Sequence, residues 1–390
     1  MSVSALRVQV PRRRIAPRGS VLLDFLRAGA AALVMLGHVR GLYFVNYASV
    51  EESGPIMAVF YFATGLGHQA VMIFFVLSGY FIASNALAVM GDGRWTWRWY
   101  LARRVTRLTV VLWPALAIGA AIDAGGLTLF GLDGPYGAAP EYRHIVLVPV
   151  PERTDAIAWI GNALFLQEIL VPSYGSNGPL WSLSYEFWYY LLFPALVLAL
   201  FGRSAPRIRA FWALAALAIA LLVGERILLY FTIWLMGAAV QLVPLPYQWA
   251  QRGWRRAVVL GAAISAWLGA MVAAKAALLP AFAGDAAVGA ATALIVYLLQ
   301  TAPGVPRAAT ARLAKTLAGF SYTLYLAHLP PLVFGAAAIL AAGGERWQPG
   351  LKQLAFGTAI ALATLGYAFA LSRITEARTD TVRRRLLVGA

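Results

Sequence analysis

Ionisable residues lie inside the first long apolar segment of the chain, residues 21–40, which contains Asp24, Arg27 and His38. An ionisable group in hydrocarbon costs at least about 2.5–3.5 kcal/mol, so such residues usually serve a function. Arg27 and His38 are eleven positions apart, and at about 100° per residue both side chains share one helix face. Asp24 and Arg27 are spaced to form an ion pair. The spacing predicts a functional ridge; the alternative is a buried ion pair with an interfacial histidine.

A carboxylate and another histidine lie in apolar segments further along the chain. Glu186 follows an aromatic-rich stretch that also holds Ser182, and a carboxylate at that depth needs a partner such as a histidine or an arginine. Tyr325 and His328 are three positions apart, which places them on one helix face as a polar stripe. An interfacial aromatic belt would account for the rings around Glu186 without a function. A satisfied core histidine is the alternative for His328.

Arg104 and Arg107 precede the third apolar segment. Three-residue spacing on a helix points both guanidinium groups the same way, which suits bidentate recognition of phosphate. Ordinary positive charge on a cytoplasmic loop and binding to lipid headgroups are the competing explanations.

These residues divide by depth, because His38, His68, Glu186 and His328 map to the outer half of the membrane and the arginines map to the inner half. A cavity with a cationic inner mouth suits an anionic carrier that enters from the cytoplasm. A histidine within reach of a carboxylate is suited to act as a general base for a hydroxyl, and acyl transfer is the chemistry that most needs one.

The elements that hold these residues are expected to span a membrane. The 390-residue chain is 61% hydrophobic and 12% charged, a composition typical of integral membrane proteins. The net charge is +16, but the basic residues fall between apolar runs, so membrane lipid and not nucleic acid is the expected partner. The chain has no cysteine, which excludes disulfides and thiolate ligands. No metal site is expected.

The apolar runs predict an all-α membrane protein of ten transmembrane helices with both termini cytoplasmic. In that topology 24 of the 32 Lys and Arg residues lie in predicted cytoplasmic segments, as the positive-inside rule requires. Residues 157–170 are expected to form a short interfacial or re-entrant helix, since a full crossing there would invert the later topology. The predicted domains are a basic cytoplasmic tail (1–20), a membrane-embedded domain (21–372) and a second basic tail (373–390). The predicted spans are 21–39, 67–90, 108–125, 180–201, 210–224, 227–243, 257–278, 285–301, 316–338 and 352–371.

Five motifs resemble those of acyltransferase family 3, a family of integral-membrane O-acyltransferases. The likeness extends over roughly residues 20–372, and the motifs occur in the order expected for that family. They are Arg27-x10-His38, Phe74-Phe75-x2-Ser78-Gly79-Tyr80, Arg104-x2-Arg107, Leu180-Trp181-Ser182-Leu183-Ser184-x-Glu186 and Ser321-Tyr322-x-Leu324-Tyr325-Leu326-x-His328.

The resemblance implies an acyl-CoA donor, usually acetyl-CoA, and transfer to a hydroxyl of a carbohydrate or glycoside outside the bacterial inner membrane. It implies no metal. Many members of the family carry an appended extracytoplasmic hydrolase-like domain, which is not expected in this chain. By position, His38 would be the catalytic histidine, with Glu186 acting on the acceptor side. Arg27 would help to place the donor, and Arg104 and Arg107 would hold the CoA phosphates. Contacts to the substrate are expected from Ser182, Tyr325 and His328.

Two other functions compete with this interpretation. A transporter or flippase for an anionic glycolipid or sugar would use the same cationic cavity, although the sequence has no repeat symmetry of the kind that transporters often show. A non-catalytic scaffold leaves the intramembrane charges unexplained. The acceptor, the acyl chain length and the oligomeric state do not follow from the sequence. Nor does the choice between His38 as a general base and His38 as a transient acyl carrier.

Overall fold

A computed structural model of the protein describes residue 6, residues 15–243 and residues 253–388. Most of the predicted tail 1–20 and most of the predicted loop 244–256 lie outside these residues. The described chain is helical, with isolated bridges and no strand, which confirms the all-α class. The helices are α1 Pro17–Tyr43, α2 Pro55–Ala63, α3 Gly67–Gly91, α4 Trp97–Phe130, α5 Ala156–Ala163, α6 Trp181–Phe201, α7 Pro206–Ala239, α8 Gly253–Lys275, α9 Ala281–Leu299, α10 Ala308–Gly319, α11 Ser321–Ala327, α12 Leu329–Ala341, α13 Leu351–Ile374 and α14 Thr379–Val388.

Eight helices of the described chain are long and apolar enough to cross a membrane, and a ninth span results if the bent pair formed by α10–α11 and α12 is one crossing. The protein is therefore a multi-pass membrane protein. The count of ten spans and the cytoplasmic position of the termini stay predictions. Among the candidate spans α3 is the most buried and α8 the least, so α3 lies at the centre of the bundle.

The helix α7 is interrupted at Gly224, which has the left-handed φ of 76° and a ψ of 175°. A positive φ of this kind is open to glycine and strained for other residues. A short loop joins α6 to α7, so α7 begins beside the end of α6. Beyond the break, Ile227 accepts a hydrogen bond from Tyr189 of α6, and Trp234 packs on Phe193 of α6. These contacts show that α6 and the second part of α7 run in the same direction. The chain therefore reverses its direction at Gly224, which lies at the boundary between the two predicted spans 210–224 and 227–243.

The predicted span 316–338 is not continuous, because the chain bends by 56° between α11 and α12. Pro330 and Pro331 follow the bend, and proline lacks the N–H that would continue the helical hydrogen bonds. The carbonyl of Leu326, which would otherwise accept from position 330, accepts from Asn177 Nδ2 at 2.7 Å. The bend places His328 at the junction of the two helices.

Close contact between α3 and α7 depends on two glycines. A Cβ on Gly79 would lie 1.9 Å from the carbonyl oxygen of Trp234, and a Cβ on Gly237 would lie 2.0 Å from that of Val76. Small residues at such crossings let the helix backbones approach, which is how helices associate in lipid. Gly79 therefore allows α3 to pack closely against α7.

Replacing Gly79 by valine is expected to destabilise the protein by about 1–3 kcal/mol or more, because the added atoms overlap the α7 backbone. The measurement is the thermal unfolding midpoint of the purified protein in detergent. Gly125→Val is the matched control, since nothing lies within 4 Å of a Cβ at Gly125. Equal midpoints for the two variants would contradict the prediction.

The loops gather at two ends of the bundle. Val45 N–H donates to the carbonyl of Trp347 at one end, so loops predicted to be external meet there; we call it the external end. Ala16 N–H donates to the carbonyl of Gln300 at the opposite end, which we call the cytoplasmic end. The helix predicted over 157–170 is shorter, since α5 ends at Ala163 and the chain turns back after it.

Candidate functional site

A cavity of about 310 Å³ lies between α1, α3, α4, α6 and α11. Six of the eight predicted site residues line it, and His38 and His328 do not. Its walls carry both guanidinium groups and aromatic rings, so the cavity can receive a ligand with an anionic and an apolar part. The predicted residues in its lining are Arg27, Arg104, Arg107, Ser182, Glu186 and Tyr325.

The three arginines of the cavity differ in their partners. Arg27 Nη2 lies 3.2 Å from Asp24 Oδ1, the ion pair that the sequence predicts. Arg107 Nη2 lies 2.7 Å from a carboxylate oxygen of Glu376. Arg104 contacts only the rings of Tyr100 and Tyr190 among its described charged and aromatic neighbours. Of these three, Arg104 is the guanidinium best placed to bind an anionic ligand.

Glu376 was not anticipated as a site residue, since it lies in the predicted basic tail. Its side chain is only 3% exposed and accepts hydrogen bonds from the backbone N–H and the hydroxyl of Thr323 at 3.1 and 3.0 Å. Thr323 belongs to α11, and Arg107 belongs to α4. The carboxylate therefore ties the segment after α13 to two walls of the cavity. A charged residue within a charged stretch gives no signal of this burial.

Glu186 lies in the cavity wall, and its partners are hydroxyl groups. Ser78 Oγ donates to Glu186 Oε1 at 2.8 Å, and the Tyr190 hydroxyl donates to the same oxygen. The ring of Tyr190 also faces Arg104. The sequence predicted a histidine or an arginine as the partner of Glu186. In the structure Ser78 and Tyr190 lie nearer to the carboxylate, and Arg104 contacts the ring of Tyr190 instead of Glu186 itself. Glu186 is not brought to a histidine.

His38 and His328 form a pair at the bend between α11 and α12. His38 Nδ1 lies 2.7 Å from His328 Nε2, and the rings stack with centroids 4.9 Å apart. His328 Nδ1 faces the carbonyls of Leu324 and Tyr325 at 2.8 and 3.0 Å. Carbonyls only accept, so His328 Nδ1 carries the proton and its Nε2 accepts from His38 Nδ1–H. The remaining nitrogen, His38 Nε2, keeps its lone pair and can act as a base.

An aromatic partition, formed by Phe74 and Tyr325, separates the cavity from the histidine pair. The Tyr325 hydroxyl donates to the carbonyl of Pro179 at 3.1 Å and accepts from Ser182 Oγ at 2.8 Å. Its ring packs edge-on against Phe74, with centroids 5.5 Å apart, and lies 6.5 Å from the ring of His328. The predicted ridge from Arg27 to His38 is therefore not one open passage, since these bonds hold Tyr325 across it.

A histidine–carboxylate pair outside the cavity was missed. His68 Nε2 lies 2.8 Å from Asp285 Oδ2, and the Tyr230 hydroxyl donates to the same oxygen at 2.7 Å. The signal was present in the sequence, since Asp285 is a lone carboxylate in an apolar segment and such a residue needs a partner. The His68 ring also stacks on Trp181.

Comparison with known proteins gives the family of the chain. The family model described as an acyltransferase domain matches residues 21–373. Neither the curated proteins nor the solved structures that were compared include a significant match. The family match covers nearly the whole chain and contains the three arginines, the histidine pair and all of the cavity lining except Ser20. The chain therefore belongs to acyltransferase family 3, whose members are membrane enzymes that transfer acyl groups.

Proposed function

We propose that the protein is an O-acyltransferase of the bacterial cytoplasmic membrane. It would move an acyl group, with acetyl as the first candidate, from cytoplasmic acyl-CoA to a hydroxyl of an extracytoplasmic glycan or glycoside. The observation that carries the proposal is the free Nε2 of His38, fixed by His328 beside a cavity lined with arginines. Acyl transfer needs both an anion site for the CoA thioester and a base for the hydroxyl.

The charge of the cavity suits an acyl-CoA donor. CoA carries several phosphates, and Arg104 is a guanidinium with no carboxylate partner among the described residues. Arg107 and Arg27 add positive charge that Glu376 and Asp24 partly offset. Guanidinium groups suit phosphate because their donors match its oxygens. The thioester arm would extend from Arg104 past Glu186 toward the aromatic partition.

The chemical step would use His38 as general base. Its Nε2 removes the proton of the acceptor hydroxyl, the oxygen attacks the thioester carbonyl, and the C–S bond breaks to release the CoA thiolate, which takes up a proton. The partition has to open for this step, because Tyr325 lies between the cavity and the histidines. A transient acyl group on His38 is the other route, in which the thioester is attacked by Nε2 itself.

Membrane vesicles that hold the protein distinguish transfer from transport. Inverted vesicles receive acetyl-CoA labelled in the acetyl group, and their glycans and glycolipids are analysed by mass spectrometry. Label in a carbohydrate ester, absent from vesicles without the protein, supports the proposal. Movement of an anionic glycolipid across the membrane without any acyl donor, and no labelled ester, would instead favour a transporter or flippase.

The role of His328 is tested by two substitutions. His328→Leu removes the acceptor for His38 Nδ1–H and is expected to lower kcat about a hundredfold, within the range of lost acid–base function. His328→Gln retains an acceptor and should lose less. KM for acetyl-CoA should stay within twofold of wild type, since His328 does not line the cavity. A rise in KM with unchanged kcat would contradict the role in orienting His38.

A further inference from the structure

Basic side chains converge at the external end, close to His38. Arg40 lies 5.3 Å from the ring of Tyr61, and Lys275 packs against Gly65, where a Cβ would lie 2.8 Å from Lys275 Cε. Arg346 Nη2 donates to the carbonyl of Gly41 at 3.1 Å. We call Arg40, Lys275 and Arg346 the outer basic cluster. It brings together residues from α1, α8 and the loop between α12 and α13.

None of the three members of this cluster lies in a salt bridge within the described chain, although Glu141 offsets part of the charge of Arg346. His144 adds no charge. Desolvation of its ring, together with the positive charges of Arg346 and Arg40, lowers the pKa of His144 to about 4. Lys and Arg are normally depleted on the outer side of a membrane. Three of them converging beside His38 therefore indicate an anionic ligand.

An apolar groove of about 260 Å³ begins at Arg40 and lies between α1, α2 and α13. Among the described residues that line it, Arg40 is the one charged residue. The others are apolar or small, with Thr64 and Thr358 as the polar exceptions. Met35, Leu36 and Phe60 form part of its wall. The groove thus has one cationic end and an apolar body, which matches an amphiphile with a single anionic group.

We propose that the groove and the outer basic cluster bind an anionic lipid-anchored acceptor, with its phosphate or carboxylate on Arg40 and its apolar chain along Met35 and Phe60. The inference rests on the proposed function and specifies its acceptor class. The sugar attached to such an anion would extend from Arg40 around α1 to reach His38, because side chains two positions apart point to opposite sides of a helix. A soluble neutral glycoside would leave both features unused.

Lipid retention tests this proposal without any acyl donor. The purified protein is placed in nanodiscs of phosphatidylcholine with a minor share of phosphatidylglycerol, extracted in detergent and examined by native mass spectrometry. Wild type should retain phosphatidylglycerol in preference to phosphatidylcholine, and Arg40→Gln should lower that preference about fivefold, the effect of one cation at a membrane surface. Arg226→Gln is the matched control, because Arg226 is an exposed arginine of α7 outside the cluster. This variant should retain the wild-type preference for phosphatidylglycerol.

Two further measurements distinguish binding of the lipid chain in the groove from binding of the phosphate alone. Ala32→Phe fills the groove and should lower retention even though every cation remains. Soluble glycerol phosphate should not displace the lipid if the chain contributes to binding, whereas displacement would point to a phosphate site alone and would overturn the groove. Equal retention of both lipids by wild type would overturn the proposal as a whole. His38→Ala should retain the lipid, so a loss of acyl transfer alone would concern the chemistry and not this site.

Discussion

Substitution of His38 by alanine is expected to lower the rate of acyl transfer at least about a hundredfold, the lower bound for loss of a general base. The imidazole is the group whose Nε2 stays unprotonated while His328 holds its Nδ1 proton. The measurement is release of CoA thiol and of labelled ester from acetyl-CoA in vesicles that contain equal amounts of each variant. Loss of the base lowers turnover and leaves donor affinity near wild type.

His68→Ala is the matched control for this loss. Its histidine is also held by hydrogen bonding, but its partner is the carboxylate of Asp285 and its side chain is 48% exposed. The His68→Ala variant should keep at least half of the wild-type rate of acyl transfer. If His38→Ala turned over as fast as wild type while His68→Ala did not, the base would have to be sought in the His68–Asp285 pair.

The second large effect is expected at Arg104. Arg104→Gln removes the cavity guanidinium that has no carboxylate partner in the described part of the chain. KM for acetyl-CoA should rise about tenfold or more, because charged hydrogen bonds to phosphate contribute about 1.5–3 kcal/mol each. The change in kcat should be smaller. Because the interaction is ionic, added salt should weaken binding in wild type more steeply than in the variant.

Arg103→Gln is the control for Arg104, since Arg103 is the adjacent residue, carries the same charge and is exposed outside the cavity. Its KM should remain close to wild type. An equal rise in KM for both variants would mean that general positive charge attracts the donor. In that case the cavity would not be the phosphate site.

The sequence predicted the parts of the protein that depend on local composition. Apolar length predicted the membrane helices, and three-residue spacing predicted both the Asp24–Arg27 ion pair and two arginines on one cavity wall. The sequence also predicted two spans that meet near Gly224, where α7 is interrupted. The bend at His328 was missed although two prolines follow it, because a long apolar window averages over single residues and the predicted span 316–338 extended across the bend.

The pairing of His38 with His328 could not be predicted from the sequence, for a different reason. The two residues are 290 positions apart, and their contact depends on the bend and on how α1 packs against α11. Each histidine was identified as an ionisable group in an apolar segment, but the neighbouring residues in the sequence do not indicate which side chain it contacts. Glu186 illustrates the same limit, since a histidine or arginine was expected and two hydroxyls took that place.

The burial of Glu376 has a practical consequence for any chimaera or shortened version of this enzyme. The family match ends at residue 373, three positions before Glu376, whose carboxylate forms an ion pair with Arg107. A protein trimmed at that border would retain the whole matched domain and gain an uncompensated positive charge at the mouth through which CoA would enter. Exchanging domains between relatives should therefore carry the residues up to the end of α14, so that the electrostatic setting of Arg107 is transferred with them.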